Sequence, residues 1–375
     1  MWGFHMFAFR SRFADMTTPP NPLHGPAQGR AAGSNHAGRF ERHAREAVDD
    51  GWNRDEELPP LRTVVSDEVP RSIISRNTSP DIPFERSVNP YRGCEHGCIY
   101  CFARPGHAWL GMSPGLDFET RLIARPDAPA VLRRELRAKS YKPDVIAIGT
   151  YTDPYQPIEK SREIMRGILQ VLSEFDHPVA IVTKGSLIER DIDILTRMAA
   201  KGLVRVGISV TTLDPAIARA MEPRVPSPAR RLATIRRLAD AGISTRVSIA
   251  PIVPALTDHE VEAIMQAAKD AGAQGVSTVI LRLPREVAGL FTDWVHQHFP
   301  DRAARILNRV RELHGGKLYD AEFGKRMRGQ GEWAAVLHKR LAVARKRIGL
   351  AHDLPPLRCD LFRVPVDVGD QMKLL

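Results

Sequence analysis

Six short runs of apolar and β-branched residues alternate with amphipathic stretches through the middle of this chain. That alternation constrains the fold more than any other feature. The runs are "SVNPY" (87–91), "DVIAIGT" (144–150), "PVAIVT" (178–183), "VRVGISV" (204–210), "STRVSIAPIV" (244–253) and "GVSTVILRL" (275–283). Between them lie "APAVLRRELRAK" (128–139), "SREIMRGILQVLSEF" (161–175), "IERDIDILTRMAAKG" (188–202), "SPARRLATIRRLADAG" (227–242) and "TDHEVEAIMQAAKDAG" (257–272), each patterned as a helix. Several end in glycine with the next run close behind, as helix C-capping favours. Strand and helix alternating in this way predict parallel βα units with right-handed crossovers. Six units fall short of the eight that close a full barrel. The predicted fold class is therefore α/β, a partial (β/α)6 barrel of TIM type with its site at the strands' C-terminal ends.

The rhythm is absent on either side of this region. Residues 1–60 are rich in Pro, Gly, Ala and charge, and "TTPPNPLHGPAQGRAAGSNHAGR" (17–39) has little apolar surface to offset its ordering entropy. This segment is expected to be mostly disordered, with a short helix around "RFERHAREAV" (39–48) and a first docking point near Asp49, Asp50, Gly51 and Trp52. After the last run, "FTDWVHQHFPDRAARILNRVRELHG" (291–315) and "EWAAVLHKRLAVARKRIG" (332–349) read as helices. The second places Trp333, Val336, Leu337, Leu341, Ala344 and Ile348 on one face. The chain thus divides into an N-terminal segment (1–60), a barrel domain (61–285) and a C-terminal helical extension packed on it (286–375).

No run reaches the roughly 18 apolar residues of a membrane span. The apolar start "MWGFHMFAFRSRF" is broken by His5 and Arg10 and lacks a small-residue cleavage site. Neither membrane association nor export is expected, and the predicted compartment is the cytoplasm. The formal net charge of +10 suggests an anionic partner such as a nucleic acid. The basic stretches "RRELRAKSYK" and "HKRLAVARKRIGL" read equally well as solvated helix faces.

Three of the four cysteines, Cys94, Cys98 and Cys101, fall in "NPYRGCEHGCIYCFARPGH" (89–107), directly after the first predicted strand. Such clustering points to a metal or redox site rather than a disulfide framework. Three thiolates from one loop can hold three corners of a [4Fe–4S] cube and leave the fourth iron open to a small molecule. Zinc is the alternative, with His96, His107 or the distant Cys359 as a fourth ligand. On that alternative the protein would be a non-catalytic nucleic-acid-binding protein, stabilised by zinc or an Fe–S cluster, with its basic helices as a phosphate-binding surface. Arg246 and Arg282 stand in otherwise apolar strands, where each needs an anionic partner or a route out to solvent.

The segment "CEHGCIYC" resembles the cluster motif of the radical S-adenosylmethionine superfamily, including the aromatic residue before the third cysteine. The stretches "GTYTDPYQPIE", "VTKGSLIERDIDIL", "VGISVTTLD", "EPRVPSPARRL" and "LRLPREV" resemble that superfamily's spore photoproduct lyase-like, or DNA repair photolyase-like, branch. The resemblance runs from about residue 86 to 290, and "GGKLYDAEFGKRMRGQG" carries it further. It implies a [4Fe–4S] cluster on Cys94, Cys98 and Cys101, with S-adenosylmethionine bound to the open iron and cleaved reductively to a 5′-deoxyadenosyl radical. It also implies an electron donor such as flavodoxin or ferredoxin, and a nucleic acid as candidate substrate. By the same resemblance Tyr100 lines the adenine side, while Thr150, Thr152 and Asp153 engage the cofactor's amino group. Lys184 pairs with its carboxylate and Ser209 with its ribose hydroxyls. Asp153 and Pro154 also read as a simple turn, and Glu159 either anchors this loop or starts the next helix.

Two departures bear on the substrate half of the chemistry. Spore photoproduct lyases use an additional cysteine near the end of the second strand, whereas "IGTYTDPYQPIEKS" has none. Phe102 stands where those lyases carry a tyrosine. The one spare cysteine is Cys359, read as a small hydrophobe or as a hydrogen donor brought in by the C-terminal segment.

Overall fold

The computed structural model describes residues 29–41 and 61–366. Its strands are β1 (Val64–Asp67), β2 (Ile74–Arg76), β3 (Arg86–Val88), β4 (Tyr91–Arg92), β5 (Arg121–Ala124), β6 (Ile146–Ile148), β7 (Val179–Thr183), β8 (Val204–Ser209), β9 (Ser244–Ile252) and β10 (Gly275–Ile280). The helices are α1 (Leu116–Thr120), α2 (Ala128–Leu136), α3 (Glu159–Arg162), α4 (Ile164–Glu174), α5 (Ile192–Ala200) and α6 (Pro215–Met221), followed by α7 (Pro228–Asp240), α8 (Val261–Asp270), α9 (Glu286–His298), α10 (Pro300–Leu313) and α11 (Gly331–Ile348).

Seven strands form one sheet in the order β10-β9-β8-β7-β6-β3-β2. The six from β3 to β10 pair in parallel and in chain order, and β2 adds an antiparallel edge to β3. This is the partial (β/α)6 barrel. Helices wrap it outside, so its strands are largely buried on both faces; every residue of β3 and β6 is buried. Gly202, Gly242 and Gly272, all at positive φ, follow α5, α7 and α8 and turn the chain into the next strand. The barrel does not close on itself. The outer edge of β10 is covered by the chain's C-terminal part, Ile280 N–H donating to Met327 O (3.0 Å) and Val276 N–H to Ala351 O (3.1 Å).

The first predicted strand is interrupted. Asn89-Pro90 ends β3, and the next two residues form β4 in a separate three-stranded sheet, β1-β5-β4. Proline has no N–H for a ladder, so it favours this change of sheet. The predicted helix over 161–175 is divided at Glu163, which lies at φ 51°, and the side chain of Glu159 accepts the Met165 N–H (3.1 Å) across the break. The long helix predicted over 291–315 is likewise two, α9 and α10, parted at Phe299-Pro300.

The helix α9 places Val287, Leu290, Phe291 and Trp294 in one buried cluster with Ile99, Tyr100, Met221 and Leu256, and so covers the cysteine loop. The helix α11 lies on α8, where Arg340 forks onto the Glu262 carboxylate at 3.0 and 2.7 Å. Its buried stripe is Ala334, Leu337, Leu341 and Ala344. Val336 is 57% exposed and does not belong to the inward face assigned to it from sequence, because it sits a quarter-turn off that stripe.

Residues 29–41, assigned from sequence to the disordered segment, are laid against the barrel, with Arg30, Ala31 and Ala32 buried. The rest of that expectation, with the docking point at 49–52, lies outside the described residues. Among the described residues no helix is long and apolar enough to cross a membrane.

Candidate active site

The cysteine loop leaves β4 through Gly93, at φ +76°, where a Cβ would lie 2.7 Å from Leu122 and 2.8 Å from His107. Cys94 and Cys98 are each 7% exposed and Cys101 is half-buried. Tight backbone turns compact the loop: Gly97 N–H bonds Cys94 O (3.2 Å), and Cys101 N–H bonds Cys98 O (3.1 Å). Gly97 itself lies at φ +67°, and a Cβ there would come within 2.6 Å of the Glu119 carboxylate. All three cysteines line one pocket, which opens at the C-terminal ends of the barrel strands.

A fully buried arginine braces this loop from behind. Arg104 donates to Cys98 O (3.0 Å), Gly97 O (2.8 Å), Pro114 O (3.1 Å) and Gly115 O (3.0 Å), and pairs with Glu119 at 2.5 Å. Glu119 also accepts the Ala31 and Ala32 N–H groups at 3.2 and 3.0 Å, which is why residues 29–41 are held here. A guanidinium with five donors satisfies several loop carbonyls at once, which no neutral side chain can do.

The loop after β6 braces it from the other side. Thr152 Oγ1 donates to Tyr91 O (3.0 Å), and Gln156 takes the Glu95 N–H (2.7 Å) while donating to Gly93 O (3.3 Å). Glu159 is fully buried and accepts from the Tyr91 phenol and from Arg190 (2.7 Å). It is both the anchor and the helix start foreseen from sequence. Asp153 accepts from Thr183 Oγ1 (2.6 Å), Lys184 N–H (2.7 Å) and Tyr155 N–H (2.9 Å), tying the ends of β6 and β7 together. Burial opposes its ionisation, yet His96 and these donors outweigh burial and hold the carboxyl at about 2. His96 Nδ1 lies 3.4 Å from Asp153 Oδ2.

A second buried network holds the motif's aromatic residue. The Tyr100 phenol donates to Glu222, which also accepts from Thr211 (3.0 Å) and pairs with Arg231 at 2.8 Å. Lys184 projects beside it, its Nζ 5.7 Å from the Tyr100 ring centroid. Burial works against its charge, but Cys98, Glu222 and Asp153 raise its pKa, so it remains an ammonium. Ser209 ends β8 at the same pocket, 3% exposed. Thr150 and Lys184 are half-buried pocket residues, and neither side chain makes a hydrogen bond among the described residues. Thr152 and Asp153 also line the pocket, but their side chains are already committed to the loop.

Of the remaining sequence candidates, Arg282 reaches the pocket and Arg246 does not. Arg246 lies near the start of β9, at the opposite end of the barrel, donating to His352 O (2.9 Å). Cys359 lies at that end too: Arg358 N–H bonds Gly202 O ahead of β8, and the Phe362 ring meets His177 ahead of β7. It can be neither a fourth ligand nor a hydrogen donor in the pocket. His107 is also unsuited, since its Nε2 is engaged with Arg121 O (2.9 Å) and its ring packs edge-on to Phe118. Among the described residues no three His, Cys, Asp or Glu side chains are placed to hold a single metal ion, the three loop cysteines included. Arg104, Glu119, Gln156, Glu222 and Arg231 had no role assigned from sequence. "CFARPGH" and "EPRVPSPARRL" contain three of them, and a charged residue inside a tightly turned motif was the available signal.

A sequence model of the radical SAM superfamily matches residues 88–268, from β3 through most of α8. An uncharacterized protein of Mycobacterium tuberculosis is 35% identical over 289 residues, covering 76% of this chain and 81% of that protein. The chain belongs to the radical SAM superfamily. Among solved structures it is similar to a spore photoproduct lyase complexed with dinucleoside spore photoproduct, with a TM-score of 0.56 at 17% identity over 81% of this chain and 86% of that one. A mutant of that enzyme with bound AdoMet and the same dinucleoside has a TM-score of 0.55 at 17% identity, over 76% and 80%. At this identity the likeness establishes the shared partial-barrel fold. Membership of the radical SAM superfamily implies a [4Fe–4S] cluster and S-adenosylmethionine. The donor set fits them: three soft thiols from one loop, and a pocket beside them with an ammonium and hydroxyls at its wall.

Proposed function

We propose that the protein is a radical SAM enzyme acting on nucleic acid, with Cys94, Cys98 and Cys101 as the ligands of a [4Fe–4S] cluster. The observation that carries this reading is the meeting of these three thiols with the β6, β7 and β8 strand ends in one pocket. Bound there, the cluster and S-adenosylmethionine would supply a 5′-deoxyadenosyl radical. The chain's own residues hold and shield that chemistry. Lys184 offers an ammonium to the cofactor carboxylate, Ser209 a hydroxyl to the ribose, and Thr150 a hydroxyl to the amino group. Tyr100, fixed by Glu222, presents a rigid ring toward the adenine. Thr152 and Asp153 act as positioning residues, since their oxygens hold the loops together.

The formal charge of +10 supports a polyanionic substrate, and the lyase complex with a dinucleoside supports one that carries nucleobases. With no cysteine in the loop after β6 and Cys359 at the far end of the barrel, a cysteine-dependent thymine-dimer reversal is not part of this reading. Its test is 5′-deoxyadenosine formation by the anaerobically reconstituted, dithionite-reduced protein, with and without ultraviolet-irradiated or undamaged DNA. Stimulation of turnover by either DNA supports the reading. Turnover that ignores every nucleic acid offered contradicts the substrate assignment.

A further inference from the structure

Arg282 follows directly on β10 and lines the pocket, with its guanidinium carbon 4.3 Å from the centroid of the Phe102 ring. Among the described residues it has neither a hydrogen bond nor an ion pair. The contrast with its neighbours is sharp. Arg104 has Glu119 and Arg231 has Glu222, each a buried carboxylate of its own. Tyr319, Asp81 and Cys101 lie close enough to act on Arg282 electrostatically, but none bonds it, and Asp81 is closed into a two-pronged pair with Arg326 at 2.8 and 2.6 Å. A half-buried guanidinium stacked on one aromatic ring, its donor edge unmatched, is a preformed receptor for a planar or tetrahedral oxyanion.

The cofactor carboxylate is a poor candidate for that anion. Lys184 ends β7 beside Cys98 and is the cation assigned above to that carboxylate, whereas Arg282 follows β10, three strands along in the sheet order. That leaves the Arg282 guanidinium for an anion of the substrate. Phe102 and Tyr151, 41% and 39% exposed, present aromatic surface at the same pocket, and an unstacked base uses such faces.

We propose that Arg282 anchors a backbone phosphate of a nucleic-acid substrate, with the guanidinium oriented by Phe102 and a base admitted to the pocket beside Tyr151. This rests on the nucleic-acid reading above and names the residue that fixes the strand's position. Burial leaves the Arg282 guanidinium less readily charged than an exposed one, and an incoming phosphate would restore what burial removes.

The test uses the reconstituted holoenzyme with S-adenosylmethionine and a fluorescein-labelled 12-nucleotide single strand, read by anisotropy across a salt series. Arg282→Gln is expected to weaken binding about ten- to a hundredfold, the worth of a charged hydrogen-bonded contact. It should also lower the slope of log affinity against log salt by about 0.7, one phosphate contact fewer. Arg282→Lys is expected to keep the slope while recovering only part of the affinity, and it carries the test should the Gln variant fold poorly. Equilibrium dialysis of S-adenosylmethionine should give the same affinity for all three proteins. Unchanged strand binding and slope in Arg282→Gln overturn the proposal, and so does a loss of cofactor affinity. A wild-type protein that makes 5′-deoxyadenosine but binds no strand overturns it together with the nucleic-acid reading, and leaves the radical chemistry standing. A protein that takes up no iron fails at the cluster instead, which iron analysis shows separately.

Discussion

Replacing Arg104 by methionine should loosen the cysteine loop without unfolding the barrel. Both Arg104 and Glu119 are fully buried, and the change leaves Glu119 without its cation and four loop carbonyls without their donor. Breaking a buried ion pair from one side costs about 3–5 kcal/mol. The cost falls on the loop, so the population with the loop open should rise by roughly two to three and a half orders of magnitude. The apoprotein's own cysteines report this. Cys94 and Cys98 are 7% exposed and react with a thiol reagent only when the loop opens, whereas the half-buried Cys359 at the far end of the barrel serves as the internal standard. In Arg104→Met, labelling of Cys94 and Cys98, assigned by peptide mass, should accelerate at least a hundredfold while Cys359 keeps its rate. If all four cysteines accelerate together, Arg104 supports the whole fold and not the loop. If none does, the brace described here is wrong.

Three further outcomes follow from single residues. Gly97→Ala, which sets a Cβ 2.6 Å from Glu119 at a left-handed backbone position, should abolish iron retention while leaving far-ultraviolet circular dichroism unchanged. Cys359→Ser should leave both iron content and 5′-deoxyadenosine formation at the wild-type level, because that residue is remote from the pocket. His177 is fully buried, donating from Nδ1 to Pro178 O (2.9 Å) and accepting the Tyr141 phenol at Nε2 (2.6 Å), and burial holds its pKa down at about 4. The unfolded chain therefore takes up a proton that the folded chain refuses between about pH 6.5 and 4. Stability should fall as pH drops through that window, by about 2–3 kcal/mol near pH 4.5 from this residue. Urea midpoints of His177→Gln should lose that part of the dependence, and an unchanged profile would show that His177 is not its source.

The barrel was legible because its strands are buried on both faces and its helices are amphipathic, so hydropathy reports their rhythm directly. The cysteine loop was legible as a candidate site because the spacing of its cysteines is itself the signal. What escaped was structure made by polar groups. The strap at 29–41 carries little apolar surface, and it is held through the Ala31 and Ala32 backbone N–H groups on a carboxylate 87 and 88 residues away, which no hydropathy pattern records. The small β1-β5-β4 sheet uses strands of two to four residues, too short to show a period. Arg104 and Glu222 read as surface charges in isolation, and only the carbonyls and carboxylates converging on them explain their burial. Thr152 and Asp153 illustrate the same limit. Their place at the pocket was readable, but the side-chain bonds by which they also tie the loops together were not.

The most direct test of the account is made under anaerobic conditions on the wild-type protein and Cys98→Ala, each reconstituted with iron and sulfide and then given dithionite and S-adenosylmethionine. About four irons and four sulfides per wild-type chain, with 5′-deoxyadenosine formed and both lost in the mutant, is the predicted result. A wild-type protein that binds zinc and refuses iron, or a Cys98→Ala protein that still forms 5′-deoxyadenosine, would contradict it.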